Sequence, residues 1–286
     1  MRRMIPIIAL IAAACNPQTE DGSGGGSMPA PTPGATDGAT PSPTPTELPP
    51  PEGDAQPEAR RDDGSFDLTE ETDLYLFQYQ YPAAVGEVPE LAELLDRRQE
   101  RARASLARSS ATARGEARDR GFPYNKHSYL AEWKVVANMR DWLSLSADVA
   151  TYSGGAHGNY GIEALIWDRL AQRALQGIDL FTSPAALREA VDERFCELLD
   201  EERAKRRGEP VVADAEDGFT QCPPMDDLVL LLGSSNRRSF DRMTLYAGPY
   251  VAGPYAEGAY EINLPVTRAV IEAVEPQYRD SFRARN

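Results

Sequence analysis

Regularly spaced apolar residues begin near Phe66 and continue almost to the end of the chain. Over residues 73–81 aromatic and polar residues partly alternate, which predicts a β-strand. Over residues 89–118 Leu91 and Leu95 belong to a series of apolar residues at helical spacing, which predicts an amphipathic helix. The chain therefore enters its folded region with a strand followed by a long helix.

Later patterns predict further strands and a second long helix. Strands are expected over residues 128–139, 142–153, 159–170, 228–232, 240–246 and 260–264, and helices over residues 184–206 and 266–274. Short turn sequences separate the first three of these strands, so we expect an antiparallel meander. Since strands and helices occupy separate stretches, the pattern predicts an α+β fold with antiparallel sheet packed with helices.

Charged residues cover one side of the first predicted helix. Arginines at positions 97, 98, 101 and 103 interleave with acidic residues at positions 93, 96 and 100. Because the two signs alternate, we expect this side of the helix to be solvated and not to form a binding patch.

Residues 1–15 have the order of features found in a secretory signal. Two arginines precede an apolar run of about ten residues, and small residues come directly before Cys15. The run is shorter than the roughly 20 apolar residues that a spanning helix needs. A cysteine at this place resembles the bacterial lipoprotein signal, in which the cysteine is acylated. The other interpretation is an ordinary cleaved signal with an incidental cysteine.

Residues 16–65 have the composition of a flexible tether. They contain glycine–serine and proline–threonine–serine runs and have no aromatic residue. Such a segment cannot bury enough apolar surface to offset the entropy cost of ordering. A tether directly after Cys15 favours the lipid anchor over the incidental cysteine. Asn16 favours the outer membrane or periplasm over the inner membrane as the destination.

The formal net charge of the chain is −15. Nucleic-acid binding needs clustered lysine and arginine, so this charge argues against a nucleic-acid partner. It also argues against binding to an anionic membrane surface, which leaves the lipid anchor as the only expected membrane contact. A basic partner would be favoured electrostatically.

The three cysteines divide under this interpretation into one lipid attachment site and one pair. With Cys15 acylated, Cys196 and Cys222 remain in an oxidising compartment, and we expect them to form a disulfide. The sequence has no CxxC motif and no cysteine–histidine set with zinc-ligand spacing. We therefore predict no metal and no cofactor.

Catalytic motifs are absent from the sequence. It has no Gly-x-Ser-x-Gly elbow, no His-Glu-x-x-His and no phosphate-binding glycine-rich loop. His127 and His157 are the only histidines, which leaves little for a catalytic triad. Among 45 acidic residues a glycosidase-like carboxylate pair cannot be located. We assign no catalytic residue and predict that the protein is not an enzyme.

One short segment, Tyr152-Ser-Gly-Gly-Ala-His-Gly158, stands out from its surroundings. Its glycines and its position after a predicted strand indicate a tight turn that holds His157 in place. His157 could bind a ligand or act in catalysis, or its imidazole could hydrogen-bond nearby backbone groups or a tyrosine. We expect the second, structural role.

The segment is accompanied by Asp168, by residues 178–181 and by the sequence Gly-Pro-Tyr-Val-Ala-Gly-Pro-Tyr-Ala-Glu-Gly at 248–258. Together these residues resemble the RsiV-type extracellular domain family. That family includes the sensor half of the lysozyme-responsive anti-sigma factor RsiV and the non-catalytic part of the peptidoglycan deacetylase PdaC. The resemblance spans roughly residues 70–275 and implies two small lobes, residues 66–150 and 151–286. The implied family-motif residues, expected to be structural, are Tyr152, Gly154, Gly155, His157, Gly158, Pro254, Tyr255 and Gly258.

The resemblance implies a non-catalytic cell-envelope lipoprotein module. Its expected partner is a basic, lysozyme-like protein or the glycan of peptidoglycan. The alternative is a cell-wall hydrolase or deacetylase that uses a carboxylate pair. An exposed row of Trp and Tyr would favour glycan, a broad acidic patch would favour protein, and a deep cleft with two carboxylates would favour the enzyme.

Overall fold

The computed structural model describes residues 61–214 and 216–285. The predicted signal, Cys15 and nearly all of the predicted tether lie outside these residues. The strands are β1 (Phe66–Glu71), β2 (Tyr75–Tyr81), β3 (His127–Asn138), β4 (Trp142–Tyr152), β5 (Asn159–Asp168), β6 (Arg173–Leu175), β7 (Leu228–Gly233), β8 (Arg242–Ala247) and β9 (Tyr260–Pro265), and the helices are α1 (Ala83–Gly86), α2 (Pro89–Arg120), α3 (Pro184–Arg207) and α4 (Arg268–Ala273). In the described part of the chain, none of the helices is both long enough and apolar enough to cross a membrane.

The first six strands form one sheet in sequence order, and the last three form a second sheet. The predicted meander is confirmed, because β3, β4 and β5 pair antiparallel in succession. All neighbours in this sheet pair antiparallel except β2 and β3, which run parallel, so the first sheet is mixed. Parallel neighbours need a crossover of about a dozen residues or more. Helix α2, with 32 residues, provides that crossover. The α+β class is confirmed.

Helix α2 and one face of the six-stranded sheet enclose the first hydrophobic core. Alternate residues of β2 point to this core, among them Phe77 and Tyr79, which are almost fully buried. Leu91 and Leu95 of α2 are completely buried against them. Burying one such side chain contributes about 1.5–3 kcal/mol, so the apolar spacing that predicts the helix also fixes which of its sides faces the sheet.

A second core lies between helix α3 and the three-stranded sheet. Ser183 caps the helix by accepting a hydrogen bond from the backbone N–H of Ala186 at 3.0 Å. Trp142 and Ile166 of the six-stranded sheet also belong to this core, so β4 and β5 contribute to both cores. The lobe boundary expected between residues 150 and 151 falls inside β4, and the six-stranded sheet continues to β6.

Candidate functional site

The turn between β4 and β5 depends on its glycines. Gly154 and Gly155 have φ angles of +92° and +95°, a region that side-chain-bearing residues rarely occupy. A Cβ atom on Gly158 would lie 2.7 Å from the carbonyl oxygen of Thr151, which is closer than real contacts allow. Tyr152 closes the turn, because its hydroxyl donates to the carbonyl oxygen of Gly155 at 3.0 Å. The positions of the three glycines within residues 152–158 therefore follow from the backbone conformation of the turn.

Tyr255 packs on this turn, although it lies 97 positions from Gly158 along the chain. The rings of His157 and Tyr255 stack with centroids 4.1 Å apart. The Tyr255 hydroxyl and His157 Nδ1 are each 2.9 Å from the carbonyl oxygen of Gly158. Since a carbonyl oxygen only accepts hydrogen bonds, Nδ1 carries the hydrogen and Nε2 of the neutral ring is an acceptor. One backbone oxygen thus fixes both rings.

Two further tyrosines extend this arrangement. The rings of Tyr250 and Tyr160 have centroids 5.6 Å and 5.9 Å from that of Tyr255. Their exposed fractions are 54% and 43%, and His157 is exposed as well. We call His157, Tyr160, Tyr250 and Tyr255 the aromatic cluster. It is a solvent-facing group of four rings, of which Tyr255 contacts the other three.

The backbone at Tyr250 is in a costly conformation. Its φ angle is +70°, in the left-handed region, where a bulky residue is an outlier. Such a residue costs about 1–3 kcal/mol, and such outliers concentrate at binding and catalytic sites. Tyr250 thus combines an exposed ring with a strained backbone.

Arginines near the C-terminal end of α3 hold the segment that carries Tyr250 and Tyr255. Arg203 is completely buried, and its guanidinium donates to the carbonyl oxygens of Ala252 at 2.9 Å and Gln221 at 2.8 Å. Arg207 makes two hydrogen bonds to the Glu257 carboxylate, at 2.9 Å and 3.0 Å. The segment that carries Tyr250 and Tyr255 is therefore held to α3 by hydrogen bonds from charged groups, which are stronger than hydrogen bonds between neutral groups.

Glu257 stays ionised in this environment. Burial opposes its ionisation, but hydrogen bonds from Arg207 and from the Tyr260 hydroxyl outweigh burial and hold the pKa of Glu257 below its ordinary value of 4.5. Burial, together with the hydrogen bond to Glu257, raises the pKa of Tyr260 to about 12. The Arg206 guanidinium lies 3.9 Å from the centroid of the Tyr260 ring. At neutral pH the support beneath the cluster is therefore an ion pair joined to a neutral phenol.

The structure brings the two sequence motifs together but changes the argument for His157. The structural role was expected from hydrogen bonds to nearby backbone groups or a tyrosine, and Nδ1 does contact the Gly158 carbonyl oxygen, but the ring is also exposed to solvent. Pro254 precedes the short 3₁₀ helix that carries Tyr255, and Gly258 ends it. The predicted motif residues thus lie in the two segments that meet at the aromatic cluster, and His157 and Tyr255 are members of that cluster.

Sequence reasoning did not single out Tyr160, Tyr250 or the arginines of α3. One signal was present for Tyr250, because the triplet Gly-Pro-Tyr occurs twice, at 248–250 and at 253–255. No local pattern distinguishes Arg203 from the exposed charges around it. Its burial depends on the segment that folds over the helix.

Cys196 of α3 and Cys222 are joined by a disulfide, as predicted, with Cα atoms 5.6 Å apart. The bond ties the segment after α3 to the helix. Asp192 lies close enough to both sulfurs to suggest a metal site. The bonded sulfurs are not thiolates, which are the metal-binding form of cysteine, so this trio does not form a metal site while the disulfide is intact.

The first part of the chain is similar to a known protein family. Residues 68–160 match the family model described as Deacetylase PdaC. The PdaC match confirms the resemblance drawn from the sequence over this stretch, which contains the Gly-Gly-Ala-His-Gly turn and Tyr160. It also fits a location in the cell envelope.

Two solved structures resemble the chain at low identity. A member of the DUF3298 family from Bacteroides fragilis is 18% identical, with a TM-score of 0.44, and the alignment covers 76% of this chain and 95% of that one. A DUF3298 family protein from Pseudomonas aeruginosa is also 18% identical, with a TM-score of 0.44 and coverages of 77% and 97%. No curated protein matches the sequence.

Proposed function

We propose that this protein is a binding module of the cell envelope and that its aromatic cluster binds the glycan of peptidoglycan. The observation that carries the proposal is the set of exposed rings around Tyr255, which are held in fixed positions by Gly158 and the arginines of α3. Rigid tyrosines offer an apolar face and a hydroxyl, which suits a sugar ring with one apolar side and several hydroxyls.

The charges around the cluster support a neutral ligand such as glycan. Burial raises the pKa of Tyr255 above its ordinary value, so its hydroxyl is neutral at physiological pH. The Glu257 carboxylate is already engaged by Arg207. Binding here should therefore depend on ring stacking and hydrogen bonds and should respond little to salt.

Replacing Tyr250 with alanine should weaken binding to purified peptidoglycan about tenfold or more, since a few aromatic side chains carry most of the binding energy at such surfaces and Tyr250 is the most exposed tyrosine of the cluster. Tyr250→Phe should retain most of the affinity because it keeps the ring. The measurement is co-sedimentation of the full chain with insoluble peptidoglycan. Phe122→Ala is the matched control, because Phe122 is an aromatic residue with an exposed fraction of 66% outside the cluster. Equal binding by Tyr250→Ala and Phe122→Ala would contradict the proposal.

A basic, lysozyme-like protein is a second candidate partner. The observation that favours it is a row of exposed glutamates on α3 at spacing i, i+4, formed by Glu189, Glu193, Glu197 and Glu201. Capture of a basic protein by this row should weaken steeply as salt rises to the physiological level, where the Debye length is about 8 Å. Glycan binding at the aromatic cluster should hardly change. A salt series with lysozyme and with peptidoglycan therefore separates the two partners.

We propose binding without turnover. In the aromatic cluster His157 is engaged with the Tyr255 ring and the Gly158 carbonyl oxygen, and the nearby Glu257 carboxylate is held by Arg207. If incubation of the full chain with peptidoglycan released new sugar ends or acetate, and replacing one carboxylate abolished that release, the protein would instead belong to the alternative class of cell-wall enzymes.

We further propose that Cys15 carries a lipid anchor, on the strength of the signal and tether sequences alone. Cys15→Ser should move the protein from the membrane fraction to the soluble fraction, because two or more acyl chains bind membrane stably. Fractionation of cells followed by immunoblotting measures this change. A Cys15→Ser protein that still sediments with membranes as the parent does would exclude the anchor.

A further inference from the structure

A cleft opens between helix α2 and the six-stranded sheet, apart from the aromatic cluster. Its volume is about 520 Å³, within the range of small-molecule sites. The residues that matter for its chemistry are Tyr79, Arg98, Arg101, Tyr129, Trp133 and Glu163. None of them belongs to the aromatic cluster.

The cleft exists because small residues lie in the middle of the sheet. Ala131 of β3 is paired with Tyr79 of β2, and Ala147 of β4 is paired with Trp133 of β3. Both alanines line the cleft, so large aromatic side chains stand beside positions that carry only a methyl group. The alternation of large and small residues along neighbouring strands leaves a depression beside the first hydrophobic core, to which Ala131 and Ala147 also belong.

Two tyrosine hydroxyls in the cleft have hydrogens to donate. The Tyr79 hydroxyl accepts a hydrogen bond from Trp133 Nε1 at 2.9 Å. Within residues 61–214 and 216–285, no acceptor is found for the hydrogen of the Tyr79 or the Tyr129 hydroxyl. Burial raises the pKa of Tyr129 to about 12 and that of Tyr79 above its ordinary value. Both hydroxyls are therefore protonated donors at physiological pH.

Two arginines and a single glutamate line the same cleft. Arg98 and Arg101 lie three positions apart on α2 and so share one side of the helix. Arg98 is 3.5 Å from the Glu163 carboxylate, a long and partly exposed ion pair, and 5.8 Å from the centroid of the Trp133 ring. Arg101 has no ion-pair partner in the described part of the chain. The lining thus has a net positive charge in a chain whose net charge is −15.

We propose that this cleft binds a carboxylate-bearing ligand of about the size of a sugar acid or a dipeptide. A carboxylate only accepts hydrogen bonds, and it matches a site whose unpartnered groups are two hydroxyl donors and a free guanidinium. The rings of Tyr129 and Trp133 provide an aromatic wall for the body of the ligand. The proposal is independent of glycan binding at the aromatic cluster.

Titration calorimetry on the full chain tests the ligand class with two matched pairs of probes. N-acetylmuramic acid is compared with N-acetylglucosamine, which lacks the carboxylate, and N-acetyl-alanyl-alanine is compared with its C-terminal amide. At least one acid should bind about tenfold or more tightly than its neutral counterpart, as expected for charge-assisted hydrogen bonds. The pair that shows the difference identifies a sugar acid or a peptide terminus as the source of the carboxylate.

Two substitutions on α2 test the site. Arg101→Gln should weaken binding of the acid about tenfold, whereas Arg97→Gln should not, although it removes the same charge from the same helix. Arg97 is exposed and pairs with Glu93 at 3.4 Å. Tyr129→Phe should also weaken binding while leaving the melting temperature unchanged. Equal affinity for acid and neutral probes, no binding of either acid at millimolar concentration, or equal affinity of the two arginine variants would overturn the proposal.

Discussion

Removing the Cys196–Cys222 disulfide by a double substitution to alanine should lower the free energy of unfolding by about 3–4 kcal/mol. The two cysteines are 26 positions apart. In the chain-entropy model, closing a loop of this length removes conformational entropy from the unfolded ensemble and so raises its free energy by that amount. Alanine is the suitable replacement because both side chains are half-buried and pack against the second core.

Urea denaturation of the parent and the double variant, each with and without a reducing agent, measures this effect. The reduced parent should unfold at the same urea concentration as the double variant, which itself should not respond to the reductant. Peptidoglycan binding should persist in the double variant, because Arg203 and Arg207 still hydrogen-bond to the carbonyl oxygens of Gln221 and Phe219. A parent whose unfolding midpoint is unaffected by reduction would show that the bond contributes nothing.

Replacing Arg203 with methionine should lower the free energy of unfolding by about 2–4 kcal/mol. Replacing a buried ion pair with apolar residues is often harmless, but only when both partners are replaced. Arg203 forms an ion pair with Asp200 at 2.9 Å, but it also donates to the backbone carbonyl of Ala252, a completely buried residue, and no substitution can remove that carbonyl. An acceptor left without a donor costs about 1–3 kcal/mol, and the loss of packing adds to it.

Arg194→Met is the control, because Arg194 lies on the same helix with an exposed side chain and a surface ion pair to Glu197. Its expected effect is within about 0.5 kcal/mol. Arg203→Met should also weaken peptidoglycan binding, since Arg203 fixes the segment between Tyr250 and Tyr255. Equal unfolding midpoints for the two variants would contradict the assigned role of Arg203.

Local patterns were sufficient for the long helices, for most strands and for the fold class, but they did not predict β1, α1 or β6. The apolar spacing predicts α2 and α3 to within a few residues, because a helix buries a stripe that recurs every three to four positions. The turn sequences predict the meander of β3, β4 and β5, because short connections favour antiparallel neighbours. The pairing of Cys196 with Cys222 followed from a count of cysteines and the expected compartment.

Contacts between distant segments were decided only by the tertiary structure. The parallel pairing of β2 with β3 depends on where α2 returns the chain to the sheet. Charge alternation predicts that the arginines of α2 lie on a solvated side of the helix. In the structure Arg98 and Arg101 line a cleft that is also lined by alanines of β3 and β4. Charge alternation describes one helix and carries no information about what lies opposite it.

The aromatic cluster shows the same division most clearly. The sequence determined that residues 152–158 form a glycine-dependent turn and that residues 248–258 resemble a second motif of the RsiV-type family. It did not determine that Tyr255 stacks on His157, since that contact requires the segment to be held against the turn by arginines of a third element, α3. Backbone conformation is a local property of a few residues, whereas the meeting of two motifs is set by the packing of all the elements between them.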